Sequence, residues 1–386
     1  MGSGDRRVLA DPSPCILVNN DVKVDEFDNV ACLNLLAENN RLSKRFPTWC
    51  ALAAALLITS VAAETRAILV GVSKFDHLKI APLEGPLNDV KLMDIALQAR
   101  GLDARNIIKL TDHSPESYKP RRANILRVFA ETAKASLQND VVIVYFSGHG
   151  AQVPQPRPVP KGRWLEPDGL DEVFLTRDTK LWDKKNQRVQ GALLDDEIGD
   201  ALEAFTKRGV DVWAIFDSCH AGDMVRSSNM TDSAPILRGV DATALGVSTS
   251  AMRTATYRGA SQRSNRSASN SRLALPRALS SKPPNSGNLV AFYATQPDEA
   301  APEEMFPYPA SFSDSQSRSV MGRFGIFTWE LASGIAQAHR SYAELAKAIM
   351  ARYETRPFPT PQFEGDLARP LLPDSRLVLQ RLQVTP

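Results

Sequence analysis

The chain has 386 residues, of which 43% are hydrophobic and 23% are charged. An apolar share of this size can fill the core of a globular protein, so the fold needs neither disulfides nor a structural metal. The 46 basic and 44 acidic residues give a formal net charge of +2, which argues against a partner bound through net charge, such as nucleic acid or an acidic membrane surface.

Residues 41–63 have the pattern of an export signal. Basic residues at 41–45 precede an apolar stretch at 49–61 that is too short to span a bilayer, and small residues follow up to Ala63. We expect a misassigned start, with 1–40 an unstructured or misannotated extension; the alternatives are an internal signal peptide, a buried helix or a single membrane anchor. The prediction is a periplasmic or secreted protein without a membrane span in its mature form, or a cytoplasmic one if the signal is not used.

Cysteine usage points to one reactive thiol. Cleavage after Ala63 would remove Cys15, Cys32 and Cys50 and leave Cys219 alone. A single thiol in an exported protein cannot form an internal disulfide, so intermolecular pairing or chemistry remains.

From residue 66 onwards the hydrophobic pattern alternates between strands and helices, which predicts one large α/β domain. The first helix has Pro86 at its start and Gly101 after its end, and the last opens with a capping box of Ser341 and Glu344. The predicted strands are 67–70, 106–110, 141–146, 212–216 and 289–294. The predicted helices are 87–100, 123–137, 195–205, 325–338 and 341–353, and a long polar segment occupies 152–188.

Residues 226–288 differ in composition from the rest of the chain. They contain nine Lys or Arg, two Asp and many Ser, so we expect a disordered linker that packs no core. Either a protease cuts this linker after an arginine and thereby activates the protein, or the linker is a basic insertion without such a role. The candidate arginines are Arg238, Arg253, Arg258, Arg263, Arg266, Arg272 and Arg277.

Cys219 and His149 each follow an apolar strand. Right-handed crossovers would place the ends of both strands on one edge of the sheet. There an imidazole can stabilise or generate the thiolate that attacks a carbonyl. The backbone N–H groups of Gly150 and Cys219 would stabilise the resulting oxyanion. His220 competes with His149 for the role of base.

A metal site is the alternative for these residues. Cys219, His220, His149 and Asp223 could be proposed as zinc ligands, but one cysteine next to a histidine gives poor tetrahedral geometry. The nucleophile is therefore the favoured interpretation.

Two motifs carry a family resemblance. Tyr-Phe-Ser-Gly-His149-Gly and Phe-Asp-Ser-Cys219-His-Ala-Gly resemble the catalytic histidine and cysteine blocks of caspase-like peptidases, in particular of the metacaspase branch. Segments around Asp89, after residue 289 and after residue 325 extend the resemblance over about residues 66–373.

The resemblance implies a caspase–hemoglobinase fold, with a mostly parallel six-stranded sheet sandwiched by helices. Residues 64–225 would form a region like the caspase large subunit, and 289–386 a region like the small subunit. A Cys219–His149 dyad would hydrolyse protein or peptide substrates without a cofactor for the chemistry, and the protein would be a monomer.

The resemblance further implies cleavage after Arg or Lys. Asp89 and Asp217 match the acidic residues of the pocket for the residue that precedes the cleaved bond (P1), with Ser147 nearby. Buried carboxylates suit a basic side chain because it needs charge-assisted partners. The alternatives are that Asp217 caps the following turn, that the peptidase prefers another P1 residue such as Asp, or that the chain is an inactive scaffold.

Calcium activation is a third implication. Asp171, Asp195 and Asp196 match acidic segments that bind calcium in many metacaspases, and carboxylates are suitable calcium ligands. Arg226, however, stands where a further acidic ligand is expected. The Asp195–Asp196 pair could instead favour a helix N-terminus.

Overall fold

The computed structural model describes residues 63–372, except 162, 164, 220–234, 264–284, 297–298, 310–320, 338 and 357–358. The N-terminal extension, most of the predicted signal, His220 and Asp223 lie outside the described residues, so the statements about them stay predictions. In the described ranges no helix is both long and apolar enough to cross a membrane.

The described residues form strands and helices that alternate along the chain. The strands are β1 Thr65–Gly71, β2 Ile107–Leu110, β3 Val141–Ser147, β4 Gly150–Pro154, β5 Leu170–Phe174, β6 Trp182–Asp183, β7 Arg188–Val189, β8 Leu193–Leu194, β9 Asp211–Asp217, β10 Ile236–Leu237, β11 Leu289–Tyr293, β12 Pro302–Pro307, β13 Met321–Gly325 and β14 Gln362–Glu364. The α-helices are α1 Gly85–Ala99, α2 Arg122–Ala135, α3 Asp195–Thr206, α4 Thr249–Arg263, α5 Ile326–Ile335 and α6 Tyr342–Tyr353.

Six strands build the central sheet in the order β14-β11-β9-β3-β1-β2. All neighbouring pairs are parallel except β11 and β14, so the antiparallel strand lies at an edge. All seven residues of β3 are buried, as expected of a central parallel strand covered on both faces. The predicted mostly parallel six-stranded sheet is confirmed.

Helices cover both faces of this sheet. Alternate residues of β3 point to opposite sides: Tyr145 joins a core cluster with α1, α5 and α6, whereas Phe146 joins a second cluster with α2 and α3. Full burial of such side chains stabilises the fold by about 1.5–3 kcal/mol each, which makes these two layers the main source of stability.

The predicted elements begin and end within three residues of the observed ones. Helix α1 has Pro86 in its first turn, and Gly101 follows it with a φ of 94°, a conformation that favours glycine. At the start of α6 the Ser341 Oγ accepts a hydrogen bond from the Glu344 N–H. The Glu344 carboxylate accepts from the Arg340 N–H, so the structure shows one half of the predicted capping box.

Two segments differ from expectation. The polar segment 152–188 contributes β4 and β5, which form a three-stranded antiparallel sheet with β8. Within the segment expected to pack no core, β10 pairs with β12, and Val240, Leu245 and Val247 are buried in a third core cluster. Short strands inside segments of polar composition give no clear local signal, because the partners that bury them are distant along the chain.

Candidate active site

The carboxyl ends of β3 and β9 meet at one edge of the sheet. These strands are parallel neighbours, with Ser147 opposite Asp217 in the register. His149 and Cys219 each lie two residues beyond the end of their strand. A Cβ atom added at Gly150 would lie 1.8 Å from the Cys219 carbonyl oxygen, so only glycine allows this close approach of the two segments.

His149 is almost fully buried. Its ring lies near the Phe75 ring, with 5.9 Å between centroids, and its Nε2 lies 3.4 Å from the Ala81 carbonyl oxygen. The Nδ1 atom has no hydrogen-bond partner among the described residues. Burial lowers the pKa of His149 to about 4, so the imidazole is neutral near pH 7 and can accept a proton.

Cys219 has no exposed surface. The Ala301 N–H donates a hydrogen bond to Sγ, and Sγ lies 3.5 Å from the Ala301 carbonyl oxygen. Burial raises the pKa of the Cys219 thiol to about 12; the Ala301 N–H opposes the rise and the Asp217 charge adds to it. In this arrangement the sulfur is therefore a neutral thiol.

An arginine of the chain itself fills a pocket next to Cys219. Arg238 has no exposed surface, and Asp89, Asp217 and Glu303 surround its guanidinium. The Nη2 atom lies 2.6 Å from Asp89 Oδ2 and 3.4 Å from Glu303 Oε2, and Nη1 lies 3.0 Å from Asp217 Oδ1. Nη1 also donates to Ser147 Oγ at 3.1 Å. We call these four partners, Asp89, Ser147, Asp217 and Glu303, the arginine pocket.

Backbone donors and hydroxyls hold the pocket carboxylates in place. Asp89 Oδ1 accepts a hydrogen bond from the Gly325 N–H, and Glu303 Oε2 accepts one from the Gly85 N–H. Asp217 Oδ2 accepts from both the N–H and the hydroxyl of Thr328. The carboxylates thus have partners besides Arg238, which preorganises them for a cation.

The charges in the pocket do not balance, because three carboxyl groups face one guanidinium. Burial raises the pKa of Asp89 to about 7, with the Arg238 guanidinium opposing the rise and Asp217 adding to it. Burial also raises the pKa of Glu303. Without a bound cation, three ionised carboxylates would repel each other in this buried pocket. The pocket therefore strongly disfavours an empty, fully ionised state, and for the same reason it disfavours a bound acidic side chain.

Glycines at the pocket wall leave room for the guanidinium. A Cβ at Gly85 would lie 2.4 Å from Arg238 Nη2, and one at Gly325 would lie 2.6 Å from Arg238 Nη1. Any side chain at these positions would reduce the space for a basic group.

The backbone of Arg238 is bound as well as its side chain. Its N–H donates to the Ala301 carbonyl at 2.9 Å, and its carbonyl accepts from the Gly150 N–H at 3.0 Å. The next bond runs from the Val240 N–H to the Gly150 carbonyl, also 3.0 Å. The chain therefore passes through the cleft in an extended form.

A family model of the caspase domain matches residues 64–371. The chain belongs to the caspase domain family of cysteine peptidases. The resemblance noted in the sequence is thereby confirmed.

Several proteins are similar to this caspase-domain chain. It is 30% identical to metacaspase-1 of Candida albicans over 174 residues, which cover 45% of this chain and 36% of that protein. It is 36% identical to metacaspase-1 of Emericella nidulans over 160 residues, 41% of this chain and 35% of that protein. The chain thus spans about a third of the length of these relatives. A crystal structure of a protein from Geobacter sulfurreducens covers 78% of this chain and 93% of its own, with 22% identity and a TM-score of 0.48.

The structure brings the predicted site residues of this caspase domain together in one cleft. His149, Gly150 and Cys219 lie at the sheet edge, and Asp89, Ser147 and Asp217 lie at the base of the arginine pocket. Asp217 Oδ2 accepts a hydrogen bond from the Thr328 N–H at the start of α5, so this carboxylate contacts a distant helix; its predicted alternative role as a cap for the following turn stays a prediction.

Sequence reasoning missed three parts of the caspase-domain site. Glu303 lies on β12, a strand that was not predicted, so no signal marked it as a pocket residue. Gly85 and Gly325 flank predicted helices, where a glycine is ordinary. Arg238 was one of seven candidate arginines; its place in the pocket is visible only in the fold, and Arg266, Arg272 and Arg277 lie outside the described residues.

The predicted calcium ligands of the caspase domain lie in an acidic cluster. Burial raises the pKa of Asp171 to about 6, with Asp196 adding to it, and raises the pKa of Glu166 to about 9, with Asp195 adding to it. Arg163 Nη1 lies 3.8 Å from Asp196 Oδ2. In the described part of the chain, no three His, Cys, Asp or Glu side chains surround a common metal position.

Proposed function

We propose that this protein is a cysteine endopeptidase that hydrolyses peptide bonds after Arg or Lys. The observation that carries the proposal is the burial of Arg238 among Asp89, Asp217 and Glu303, in a pocket next to Cys219. Three carboxyl groups and a hydroxyl match the donors of a guanidinium, and a lysine ammonium reaches part of the same set.

An acidic P1 residue is disfavoured by the same groups. A carboxylate in the pocket would place a further negative charge beside Asp89, Asp217 and Glu303 in a buried site, without water to screen it. A preference for Asp at P1 would require a basic pocket. Here the four pocket residues supply carboxyl groups and a hydroxyl, and the arginine is the side chain that they bind.

The catalytic steps follow from the positions of the polar groups. The Gly150 N–H, which binds the Arg238 carbonyl here, would stabilise the oxyanion of a substrate in the same position. Cys219 Sγ would attack the carbonyl carbon while His149, neutral near pH 7, takes the thiol proton. His149 would then donate that proton to the leaving amine, and water would hydrolyse the thioester.

We also propose calcium as an activator rather than a participant in the chemistry. Burial, with neighbouring carboxylates adding to it, raises the pKa values of Asp171 and Glu166, and a hard cation would favour the ionised carboxylates of this cluster. Asp171, Asp195 and Asp196 would supply carboxylate ligands after some side-chain movement, since the described residues hold no preformed site.

Turnover of matched peptide amides tests the activity. The peptides differ only at P1, which is Arg, Lys or Asp, and the full-length chain is assayed with calcium and with a chelator beside a Cys219→Ala control. We expect cleavage after Arg and Lys, none after Asp, and none in the control. Equal cleavage of the Asp peptide would contradict the proposed acidic P1 pocket. If neither the wild type nor an Arg238→Gln variant cleaved any of the peptides, the chain would be an inactive scaffold.

A further inference from the structure

Two buried hydroxyl groups, those of Tyr145 and Thr328, form a chain of hydrogen bonds that ends on the Asp217 carboxylate. We propose that Thr328 and Tyr145 are positioning residues of the arginine pocket: they hold one oxygen of the ionised Asp217 carboxylate and leave the other for the cation of the substrate. This inference rests on the proposed function, because it assigns Asp217 to the binding of a P1 arginine or lysine.

The three side chains come from three different elements. Tyr145 lies on β3, Asp217 ends the neighbouring strand β9, and Thr328 lies in the first turn of α5. The Tyr145 hydroxyl lies 2.5 Å from Thr328 Oγ1, and the Thr328 hydroxyl donates to Asp217 Oδ2, also at 2.5 Å. None of the three residues has exposed surface. Both hydroxyl groups therefore depend on this chain for their hydrogen bonds, because water does not reach them.

The number of available hydrogen atoms fixes the direction of the chain. An ionised carboxylate can only accept, so the Thr328 hydroxyl gives its one hydrogen to Asp217. Thr328 Oγ1 can then only accept from its other neighbour, so the Tyr145 phenol is the donor. Each donor in the chain points towards Asp217, and this arrangement favours the ionised carboxylate over the neutral acid.

Tyr145 keeps the hydrogen that this direction requires. Burial raises the pKa of its phenol well above the ordinary value, and the charges of Asp89 and Asp217 add to the rise. The phenol is therefore a donor throughout the neutral pH range. A phenylalanine would fill nearly the same space on β3, so packing alone does not account for the hydroxyl group.

The two oxygens of Asp217 have different partners. Oδ2 accepts hydrogen bonds from the N–H, at 3.1 Å, and from the hydroxyl of Thr328. Oδ1 accepts no well-directed hydrogen bond from the described residues, and Arg238 Nη1 lies 3.0 Å from it. Two donors on Oδ2 oppose rotation of the carboxylate, so Oδ1 stays directed at the position of a P1 cation.

The start of α5 holds two pocket carboxylates at once. The N–H of Gly325, the N-cap residue, donates to Asp89 Oδ1 at 3.0 Å, and the Thr328 N–H donates to Asp217 Oδ2. The N–H groups at a helix N-terminus favour negative charge. The Thr328 hydroxyl adds a second donor to Asp217, which an apolar side chain at this position could not supply. Thr328 is thus the residue through which α5 fixes the Asp217 carboxylate.

Matched variants test the chain of hydroxyl groups. Thr328→Val keeps the shape of the side chain and the backbone N–H but removes the hydroxyl, Thr328→Ser keeps the hydroxyl, and Tyr145→Phe removes the phenolic donor. All are made in the full-length Arg238→Gln protein, called the parent, because Arg238 would otherwise compete with the substrate for the pocket. Values of kcat and KM are then measured with an Arg peptide amide, and folding is checked by thermal melting.

Two control variants remove the same groups elsewhere. Thr206→Val changes a buried threonine of α3 whose hydroxyl donates to the Glu203 carbonyl. Tyr353→Phe changes a buried tyrosine of α6 whose hydroxyl has no partner among the described residues. Neither residue contacts the arginine pocket, so both variants should keep the KM of the parent.

Thr328→Val should raise KM about tenfold or more and leave kcat nearly unchanged, because substrate binding loses the support of a hydrogen bond to a charged group. Thr328→Ser should restore the KM of the parent. Tyr145→Phe should raise KM about threefold, since the hydrogen bond that it loses joins two neutral groups. In the Thr328→Val background Tyr145→Phe should have no further effect, because Tyr145 acts on Asp217 only through the Thr328 hydroxyl.

Several results would overturn this inference while cleavage by the parent still supported the proposed function. One is an unchanged KM in Thr328→Val, or in Tyr145→Phe if the valine variant does not fold. Another is an equal rise of KM in Thr206→Val, which would indicate a general effect on packing. A third is an equal effect of Tyr145→Phe with and without the Thr328 hydroxyl. If the parent does not cleave the Arg peptide, the inference fails; if the wild type does not cleave it either, the proposed function fails as well.

Discussion

The Arg238 guanidinium lies 2.6 Å from the Asp89 carboxylate, and both side chains are completely buried. Asp89 lies on α1. Arg238 directly follows β10 and is 149 residues from Asp89 in the sequence. A buried charge without a partner is costly, so each residue stabilises the other. The proposed function makes Asp89 part of a pocket for a basic substrate side chain, and each prediction below changes one part of the site.

Replacing the Asp89 carboxylate with an amide should weaken turnover of arginine substrates. Asp89→Asn loses a charge-assisted hydrogen bond worth about 1.5–3 kcal/mol, which corresponds to about 10- to 100-fold in kcat/KM for an Arg peptide amide. The matched control is Asp94→Asn on the same helix, whose carboxylate pairs with Lys109 outside the pocket. Equal losses in both variants would show that the effect is structural.

Glu303 should contribute less than Asp89, because its Oε2 atom lies 3.4 Å from the guanidinium instead of 2.6 Å. We expect Glu303→Gln to lower kcat/KM for Arg peptides by about tenfold, near the lower end of the range for a hydrogen bond to a charged group. Glu304→Gln on the same strand is the control, since Glu304 pairs with Arg356 instead. An unchanged kcat/KM in Glu303→Gln would show that Glu303 does not contribute to binding the substrate arginine.

The activity should rise with pH through neutrality. Burial raises the pKa of Asp89 to about 7 with Arg238 present, and Arg238 lowers it, so the vacant pocket has a still higher pKa. A substrate arginine binds the ionised form, hence kcat/KM for Arg peptides should increase as pH rises above 7, where the carboxyl group of the vacant pocket ionises. His149, with a pKa of about 4, is already neutral in this range. The increase should be smaller in Asp89→Asn; an identical profile in that variant would assign it to another group.

The pocket should not tolerate a side chain at Gly85. A Cβ there would lie 2.4 Å from both Arg238 Nη2 and Glu303 Oε2, so Gly85→Ala should raise KM for Arg peptides by about tenfold or more. A small alkylating reagent that does not enter the pocket should modify Cys219 in this variant as it does in the wild type. If the variant lost both its affinity for Arg peptides and the alkylation of Cys219, the substitution would have disturbed the site as a whole.

Calcium should stabilise the protein through the acidic cluster. In a thermal melt, added calcium should raise Tm of the full-length chain, and Asp171→Asn and Asp196→Asn should reduce the shift, because a bound ligand stabilises the state that binds it. Asp183→Asn is the control, since Asp183 is held by Asn186 and Gln190 in a surface hairpin. A shift that is the same in all variants would place calcium elsewhere.

The sequence predicts the central sheet well because long apolar runs and amphipathic periods are local signals. The strands that carry His149 and Cys219, and the helix that carries Asp89, could all be located in this way. The motif resemblance then assigned Asp89 and Asp217 to one pocket. Their contacts with Arg238 agree with that assignment, although the role in substrate binding remains a proposal.

The parts that the sequence did not predict depend on distant partners. Residues 236–247 contain apolar side chains, but they lie in a Ser- and Arg-rich segment and become ordered by contacts with β12, Gly150 and the third core cluster. Glu303 is buried by its position on β12 and not by any local pattern. Tertiary contacts of this kind override local composition, which indicated a linker without a core.

Covalent labelling of Cys219 tests the central claim most directly. The Arg238→Gln variant is treated with two electrophilic peptides that differ only in carrying Arg or Asp at P1, and the intact mass and the modified residue are determined. The account predicts one adduct on Cys219, formed much faster with Arg, and a strong reduction of that difference in Asp89→Asn. Equal labelling by both peptides, or an adduct on another residue, would contradict it.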